Sequence, residues 1–269
     1  MKPYITIITS TYNASKTLKR CLDSVESQLY PNIEHIIIDG NSSDGTQEII
    51  AQHASKDDSR ISYWISEQDS GIYDAWNKAI PHINGEWVLF LGADDYYLED
   101  IFSKVVPVLE KQDDKVTIAY GKVFVFNGED GQIKQTSGKA WVDYKKKGFF
   151  RGVGMLPHQA VFHRSSLFKT NKFDINYKIG ADYNFLYPVL LERSPIFIDM
   201  PIAMYSDGGV SSNINNLLEC LRECKQTVLK YNQKPSIILK FGVIKIRLLL
   251  FLKTHNLKIL FNIISKISV

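Results

Sequence analysis

Apolar residues change their period several times along the first hundred positions. Ile5, Ile7 and Ile8 open a buried strand that ends at Thr9-Ser10-Thr11. Leu18, Cys21, Leu22 and Val25 then recur at helical spacing and predict an amphipathic helix over 15–28. Tyr30-Pro31-Asn32 reads as a turn. The near-continuous apolar run 33–38 is that of a strand buried on both faces. It ends at Asp39, and residues 40–45 form a loop in which Asp44 is placed to cap the next helix, marked by Ile49 and Ile50. Residues 61–65 predict a third strand, and Ile72, Trp76, Ala79 and Ile80 another helix. Residues 87–91 predict a fourth strand, which runs into Gly92-Ala93-Asp94-Asp95.

Strand and helix alternate, which implies an α/β fold: a mostly parallel sheet flanked by helices on both faces. Ligands of open sheets bind beyond the carboxyl ends of the strands. Polar residues gather at those ends: Thr11, Tyr12 and Asn13, then Asp39, then Asp94 and Asp95. The second half is less regular. Residues 101–109 read as a helix with Pro107 near its end, and 117–126 as a strand followed by Asn127-Gly128 and Asp130-Gly131 turns. Residues 148–156 are glycine-rich and expected to be mobile. Residues 158–163 predict a short strand, and 181–193 a helix interrupted at Pro188. Composition shifts near Asn213, which divides the chain into a domain over 1–212, in halves 1–97 and 98–212, and a helical tail over 213–269.

Composition sharpens two points. With 269 residues, 45% of them hydrophobic and 23% charged, the chain is long and apolar enough for one large core and is neither disordered nor fibrous. The net charge of +3 conceals an asymmetry: residues 225–269 hold eight lysines, one arginine and no acid, so the remainder carries −6. Three cysteines, Cys21, Cys220 and Cys224, are too few for a disulfide framework and fit a reducing compartment. The start MKPYITIITS reads as a strand and lacks a cleavage site, and no run approaches the roughly 18 apolar residues of a membrane span. The expected location is the cytoplasm.

Candidate chemistry sits at the strand ends. Two adjacent carboxylates at Asp94-Asp95 repel each other and call for a cation or several donors; their hard oxygens suit Mg²⁺ or Mn²⁺ beside a phosphate. The plainer reading is a strand-end turn. Asp39 can accept hydrogen bonds from a base or ribose, or can serve as an ordinary turn residue. No G-x-G-x-x-G follows the first strand and no P-loop pattern occurs, which argues against a dinucleotide or P-loop site.

Three blocks carry a resemblance: residues 5–13 (ITIITSTYN), 36–46 (IIIDGNSSDGT) and 88–96 (VLFLGADDY). In this order and spacing they resemble the family 2 glycosyltransferases of the GT-A fold. The run 66–78 (SEQDSGIYDAWNK) is similar to a bacterial subgroup that builds surface polysaccharides such as O-antigen or capsule. The resemblance implies a nucleotide-sugar-binding half over 1–97 and an acceptor-binding half over 98–212. Asp39 would hold the uracil or ribose of a UDP-sugar, and Thr11 and Tyr12 would line the base pocket beside Asn13 and Asp69. Asp94, with Asp95, would bind a Mn²⁺ or Mg²⁺ ion bridging the donor phosphates. Gly92 stands where the family's first aspartate is usual, which leaves open which of the two binds the ion. Asp182 falls where the family carries its general base, with Ala181 in place of the usual glutamate; its plainer reading is a first-turn acid favoured by the helix dipole. His158 and Gln159 are placed to touch acceptor or phosphates, and His158 reads equally well as structural. Asp74, Asn77 and Lys78 border the same region or form the wet side of a helix.

The implied enzyme is an inverting hexosyl- or N-acetylhexosaminyltransferase that moves a sugar from a UDP-sugar to a hydroxyl of a lipid-linked or oligosaccharide acceptor. A catalytically silent nucleotide-sugar-binding subunit is the alternative, and would bind UDP without turnover. The tail, apolar clusters interspersed with lysines (237–239, 248–252, 259–261), suits an interfacial helix on anionic lipid, holding the protein on the inner face of the cell membrane. A helical hairpin packed on the domain is the other reading. The tail lacks the arginines and spaced aromatics of a nucleic-acid surface, so no nucleic-acid partner is expected.

Overall fold

The computed structural model describes residues 2–128, 130–208, 214–255 and 257. The first half follows the alternation read from the sequence: β1 (Ile5–Thr11), α1 (Leu18–Glu26), β2 (Ile33–Asp39), α2 (Thr46–Ala54), β3 (Ile61–Ser66), α3 (Ile72–Ala79) and β4 (Trp87–Phe90). β1 pairs in parallel with β2 and β4, and β2 with β3. Alternate residues feed opposite layers. Ile5, Ile7, Ile37 and Leu89 pack with α1, while Ile8, Ile36, Ile38, Val88 and Phe90 pack with α3. That two-sided burial is why these strands are continuous apolar runs. α1 buries Leu18, Cys21, Leu22 and Val25, and its two leucines and valine each contribute about 1.5–3 kcal/mol.

The second half completes the sheet with β5 (Tyr96–Tyr97), β6 (Ile118–Asn127), β7 (Ile133–Ser137), β8 (Val161–Arg164) and β9 (Ile196–Asp207). Strand order among the described residues is β3-β2-β1-β4-β8-β6-β9-β5, with β7 on β6. β8 runs antiparallel to β4 and β6, and β6 runs parallel to β9. The helices are α4 (Ile101–Leu109), α5 (Trp141–Lys147), α6 (Ala181–Glu192), α7 (Ile214–Lys230) and α8 (Ile237–Thr254).

Several local expectations change. Residues 158–160 form a 3-10 turn and only 161–164 are strand. α6 runs through Pro188 without a break, because Tyr183, Leu186, Tyr187 and Leu190 anchor it on the core. The N-cap of α2 is Gly45 in the left-handed region; Asp44 lies one residue earlier and accepts the Thr46 amide at 3.2 Å. The glycine-rich 148–156 segment is tied down rather than free. Tyr183 and Tyr187 donate to the Phe149 and Phe150 carbonyls, Phe149 is buried, and Ser236 N–H donates to the Arg151 carbonyl at 2.8 Å. At Gly152, with φ +82°, a Cβ would stand 2.8 Å from Leu239.

The tail forms a helical pair packed on the domain. Cys220, Cys224 and Val228 of α7 and Leu239 of α8 share a core with Phe149, Tyr183 and Tyr187. Among the described residues no helix is long and apolar enough to cross a membrane. The chain boundary expected at 212/213 and the apolar cluster 259–261 lie outside the described residues.

Candidate active site

Thr11, Tyr12, Asn13, Asp39 and Asp69 meet at the carboxyl ends of β1 and β2. Asp39 is fully buried, and its oxygens accept the Ser42 amide (2.9 Å), the Ser42 hydroxyl (2.5 Å) and the Ser66 hydroxyl (2.6 Å). Its first role in the fold is therefore to lock the loop after β2 to β3. Asn13, at φ 49°, fastens the same loop, donating its amide to Ser42 Oγ at 2.8 Å and accepting the Ser43 amide at 3.0 Å. Tyr12 is 68% exposed, a ring free to stack on a planar ligand. The Thr11 hydroxyl is buried and has no partner among the described residues. Tyr12 and Asp69 close on Gly40 from two sides: a Cβ there would lie 2.9 Å from Asp69 Oδ2 and 3.4 Å from Tyr12 Cδ2. A side chain at position 40 would crowd the gap between them.

Beside it, the turn after β4 holds Asp94 and Asp95 in different states. Asp95 is buried; its Oδ2 accepts the Gln159 side-chain amide at 2.9 Å and its Oδ1 the Ser206 backbone amide at 2.8 Å. Among the described residues no neighbour donates to the Asp94 carboxylate, while its carbonyl accepts Arg20 at 2.9 Å. Arg20 lies over the Tyr96 and Phe126 rings, 4.5 and 4.9 Å from their centroids. Burial raises both carboxyl pKa values, and the Asp94 charge raises that of Asp95 further. The two carboxylates fold over Gly92, where a Cβ would lie 2.8 Å from Asp95 Oδ2 and 3.0 Å from Asp94 Oδ1. A side chain at position 92 would push on both carboxylates as they are placed here. The donor set fits a hard divalent cation: a pair of adjacent carboxylates, one of which receives no hydrogen bond from another described residue.

Asp182 sits in the first turn of α6. Burial pushes its pKa up to about 6, against the Tyr183 amide, which donates to Oδ1 at 2.8 Å. Tyr73, on α3, reaches the same oxygen at 3.4 Å and also donates to the Ile179 carbonyl. One turn further along α3, Trp76 donates to Ser10 Oγ at 3.2 Å and lies 5.9 Å from the His158 ring. α3 thus bridges Asp182 to the 158–159 turn, and Gln159 completes the link to Asp95. His158 is half-buried, and burial lowers its pKa to about 4, so the ring is neutral at physiological pH. Asn77 is committed to the fold, exchanging hydrogen bonds with Phe173 backbone at 2.9 Å each. Lys78 pairs with Glu67 at 2.9 Å. Asp74 accepts the Ser70 amide at 3.0 Å.

Tyr73 and Arg20 were not singled out by sequence reasoning. Tyr73 lies inside the quoted 66–78 run, a signal that could have drawn attention to it; Arg20 has none. A separate cluster of Asp23, Glu26 and His53 lies between α1 and α2. Its centre already holds a cation, because the Lys56 ammonium is 2.6 Å from Glu26 and 3.0 Å from His53 Nδ1. A polar depression of about 420 Å³ lined by Tyr4, Glu34 and Arg60 is at the opposite, amino ends of the strands.

Residues 6–180 match the family described as Glycosyl transferase family 2. The chain belongs to that family. It is a glycosyltransferase, similar to a glycosyltransferase of Mycobacterium tuberculosis (31% identical over 214 residues, 78% of each chain). It is also similar to a PGL/p-HBAD biosynthesis glycosyltransferase of Mycobacterium bovis (30% over 223 residues, 79% of this chain and 80% of that one). Among solved structures, S. aureus TarS aligns with TM-score 0.63 at 19% identity, over 90% of this chain and 43% of TarS. Its 1–349 fragment in complex with UDP-GlcNAc aligns with TM-score 0.63 at 19% identity, over 84% of this chain and 66% of the fragment. The mannosyltransferase PcManGT of Pyrobaculum calidifontis, in complex with GDP-Man and Mn²⁺, aligns with TM-score 0.62 at 16% identity, over 94% and 76%. These glycosyltransferase folds agree with the GT-A architecture that the resemblance of residues 5–13, 36–46 and 88–96 implied. Asp182 and the helical tail lie beyond the family-matched stretch.

Proposed function

We propose that this glycosyltransferase moves a sugar from a nucleotide-diphosphate sugar, a UDP-sugar by preference, to an acceptor hydroxyl with inversion at the anomeric carbon. The observation that carries the reading is the contact chain Asp182–Tyr73–Trp76–His158, continued through Gln159 to Asp95: it joins a carboxylate of raised pKa to the acidic turn beside the Thr11–Asp39 cradle. Tyr12 stacks on the base, and Asp69, which closes on Gly40 from the other side, borders the ribose. Asp94 is the metal ligand, since Asp95 is already held by two protein donors. When bound there, Mn²⁺ or Mg²⁺ would offset the negative charge on the diphosphate leaving group. Asp182 takes the proton from the acceptor hydroxyl; with a pKa of about 6 it is mostly ionised at neutral pH yet more basic than an ordinary carboxylate. The complexes of the TarS fragment with UDP-GlcNAc and of PcManGT with GDP-Man and Mn²⁺ support a sugar-nucleotide donor and a divalent ion.

The acceptor is lipid-linked or a growing glycan, and α8 brings the protein to it. Ile237, Phe241, Ile244, Leu248 and Phe251 are each 41–62% exposed and recur at spacings of four and three, opposite the buried Leu239 and Ile246. Lys240 and Arg247 flank this stripe, and α8 contains no acid. A second copy would set cations against cations, whereas anionic lipid at the inner face of the membrane matches both features. The test is UDP or GDP release from UDP-N-acetylglucosamine, UDP-glucose, UDP-galactose and GDP-mannose with Mn²⁺ or Mg²⁺, with and without EDTA, in the presence of lipid extract. Metal-dependent release from one donor, lost in Asp94→Ala and Asp182→Asn, is the expected result. UDP binding with no release from any donor would overturn the reading in favour of a silent binding subunit.

A further inference from the structure

We propose that Glu223, on tail helix α7, is a positioning residue for Asp182: it grips the loop that carries Asp182 into the site and so makes α7 part of the catalytic unit. The inference rests on the reading of Asp182 as the base. Glu223 is only 4% exposed. Its Oε1 accepts the Lys178 amide at 2.6 Å, and its Oε2 accepts the Ile179 and Gly180 amides at 3.0 and 2.7 Å. Three successive amides pointing at one carboxylate form an anion-holding nest, and these lie at the amino end of α6, where the helix dipole also favours negative charge. Among the described residues no lysine or arginine pairs with Glu223, so the loop amides are what compensate its burial.

The loop is gripped from its other side as well. The Ile179 peptide offers its N–H to Glu223 and its carbonyl to the Tyr73 hydroxyl, and Tyr73 also reaches Asp182. Asp182 follows three residues later, just past Gly180, the N-cap of α6. There the tail approaches closely: a Cβ at Gly180 would lie 3.3 Å from Glu223 Oε2 and 3.5 Å from Glu223 Cβ. α7 is itself fixed, through Cys220, Cys224 and Val228, in the core that contains Tyr183 and Tyr187 of α6. A residue needed only to fill this core would be apolar. A carboxylate reaching across more than 40 positions to one loop is built to hold that loop.

The experiment compares the full chain with Glu223→Gln, Glu223→Asp and Asp182→Asn. Three quantities are read: amide hydrogen exchange over residues 178–182, UDP binding in the presence of Mn²⁺, and kcat and KM for the fastest-cleaved of the four donors named above. In Glu223→Gln one acceptor oxygen becomes an NH₂ group facing amide donors. Exchange should then speed up about tenfold or more, and kcat should fall by a similar factor, with UDP affinity and donor KM changed by less than about twofold. Unchanged exchange, or a fall in UDP affinity matching that in kcat, overturns the proposal. If Glu223→Gln does not fold, Glu223→Asp, which keeps the charge but withdraws it by one methylene, carries the same comparison. Wild-type turnover in Asp182→Asn would remove the base reading alone, since exchange still reports whether Glu223 holds the loop. Exchange and UDP binding decide on their own where no donor is cleaved.

Discussion

Gln159 donates its side-chain amide to Asp95 at 2.9 Å, and this bond ties the second half of the chain to the acidic turn of the first. Asp95 is buried and its pKa is raised, so each donor it holds matters. Gln159→Ala leaves the Ser206 amide alone to satisfy it. The expected loss is about 1–3 kcal/mol of folding stability, read from urea unfolding. A loss below about 0.5 kcal/mol would mean that water replaces the amide and that the bond does not hold the turn.

The unequal engagement of the two aspartates predicts unequal effects. Asp94→Asn should weaken Mn²⁺ binding in the presence of UDP by about tenfold or more while leaving the melting temperature nearly unchanged. Asp95→Asn turns an NH₂ group toward Gln159 or Ser206 and should act first on stability. Calorimetric titration with MnCl₂, paired with thermal melts, separates the two.

Gly92→Asp restores the family's usual aspartate, yet here it should lower turnover. The new Cβ would lie 2.8 Å from the oxygen of Asp95 that Gln159 holds in place, and the new charge would be a third carboxylate on an already crowded turn. An increase in Mn²⁺-dependent turnover in this variant would show that the turn has room to reorganise.

The first half of the fold was legible because β1, β2 and β4 are buried on both faces and α1 carries a single apolar stripe. β7 was not, since its five residues are largely exposed and its apolar content is a single isoleucine. β9 contains Pro201 and polar residues, and its place between β6 and β5 is fixed by pairing distant in sequence. The same division runs through the site. Asp39, Asp94 and Asp182 stand in motifs or at element ends that a sequence displays. Tyr73 reaches Asp182 across 109 positions and Glu223 reaches Gly180 across 43, and no local pattern records such contacts. The tail reads as basic and apolar from composition alone; that it also packs against α6 depends on Cys220, Cys224 and Val228 meeting side chains far back in the chain.

The pKa of about 6 at Asp182 sets the acid side of the pH profile. A base works when ionised, so kcat/KM should rise with pH through about 6 as one proton leaves, rather than near the ordinary carboxylate value of about 4. His158, lowered to about 4, does not titrate in that window. Stability moves the other way. Because the folded state holds the Asp182 proton more tightly than the unfolded state does, this contribution is present below about pH 4 and is lost as pH rises through about 6. Asp182→Asn should therefore be inactive at pH 8 yet more stable than the parent there, by about 1–3 kcal/mol. An acid limb unchanged in position when Asp182 is replaced by Glu, together with no gain in stability for Asn, would assign the limb to another group.

The stripe on α8 predicts lipid binding that has both an apolar and an ionic part. Phe241 and Ile244 are 55% and 61% exposed in the middle of the stripe, so Phe241→Glu with Ile244→Glu removes the apolar area that lipid would cover and adds repulsion without touching the core. Lys240→Glu with Arg247→Glu leaves the stripe intact and reverses two charges, each cation near an anionic surface contributing about 1 kcal/mol. Both double variants should lose binding to vesicles of phosphatidylglycerol and phosphatidylcholine in flotation by about tenfold or more, while keeping UDP binding in solution. The charge variant should differ little from the parent on phosphatidylcholine alone, and raising salt should weaken the parent toward it. If the parent floats with neither vesicle and the Phe241/Ile244 variant instead converts a dimer to a monomer, the stripe is a contact between two copies and the membrane reading fails.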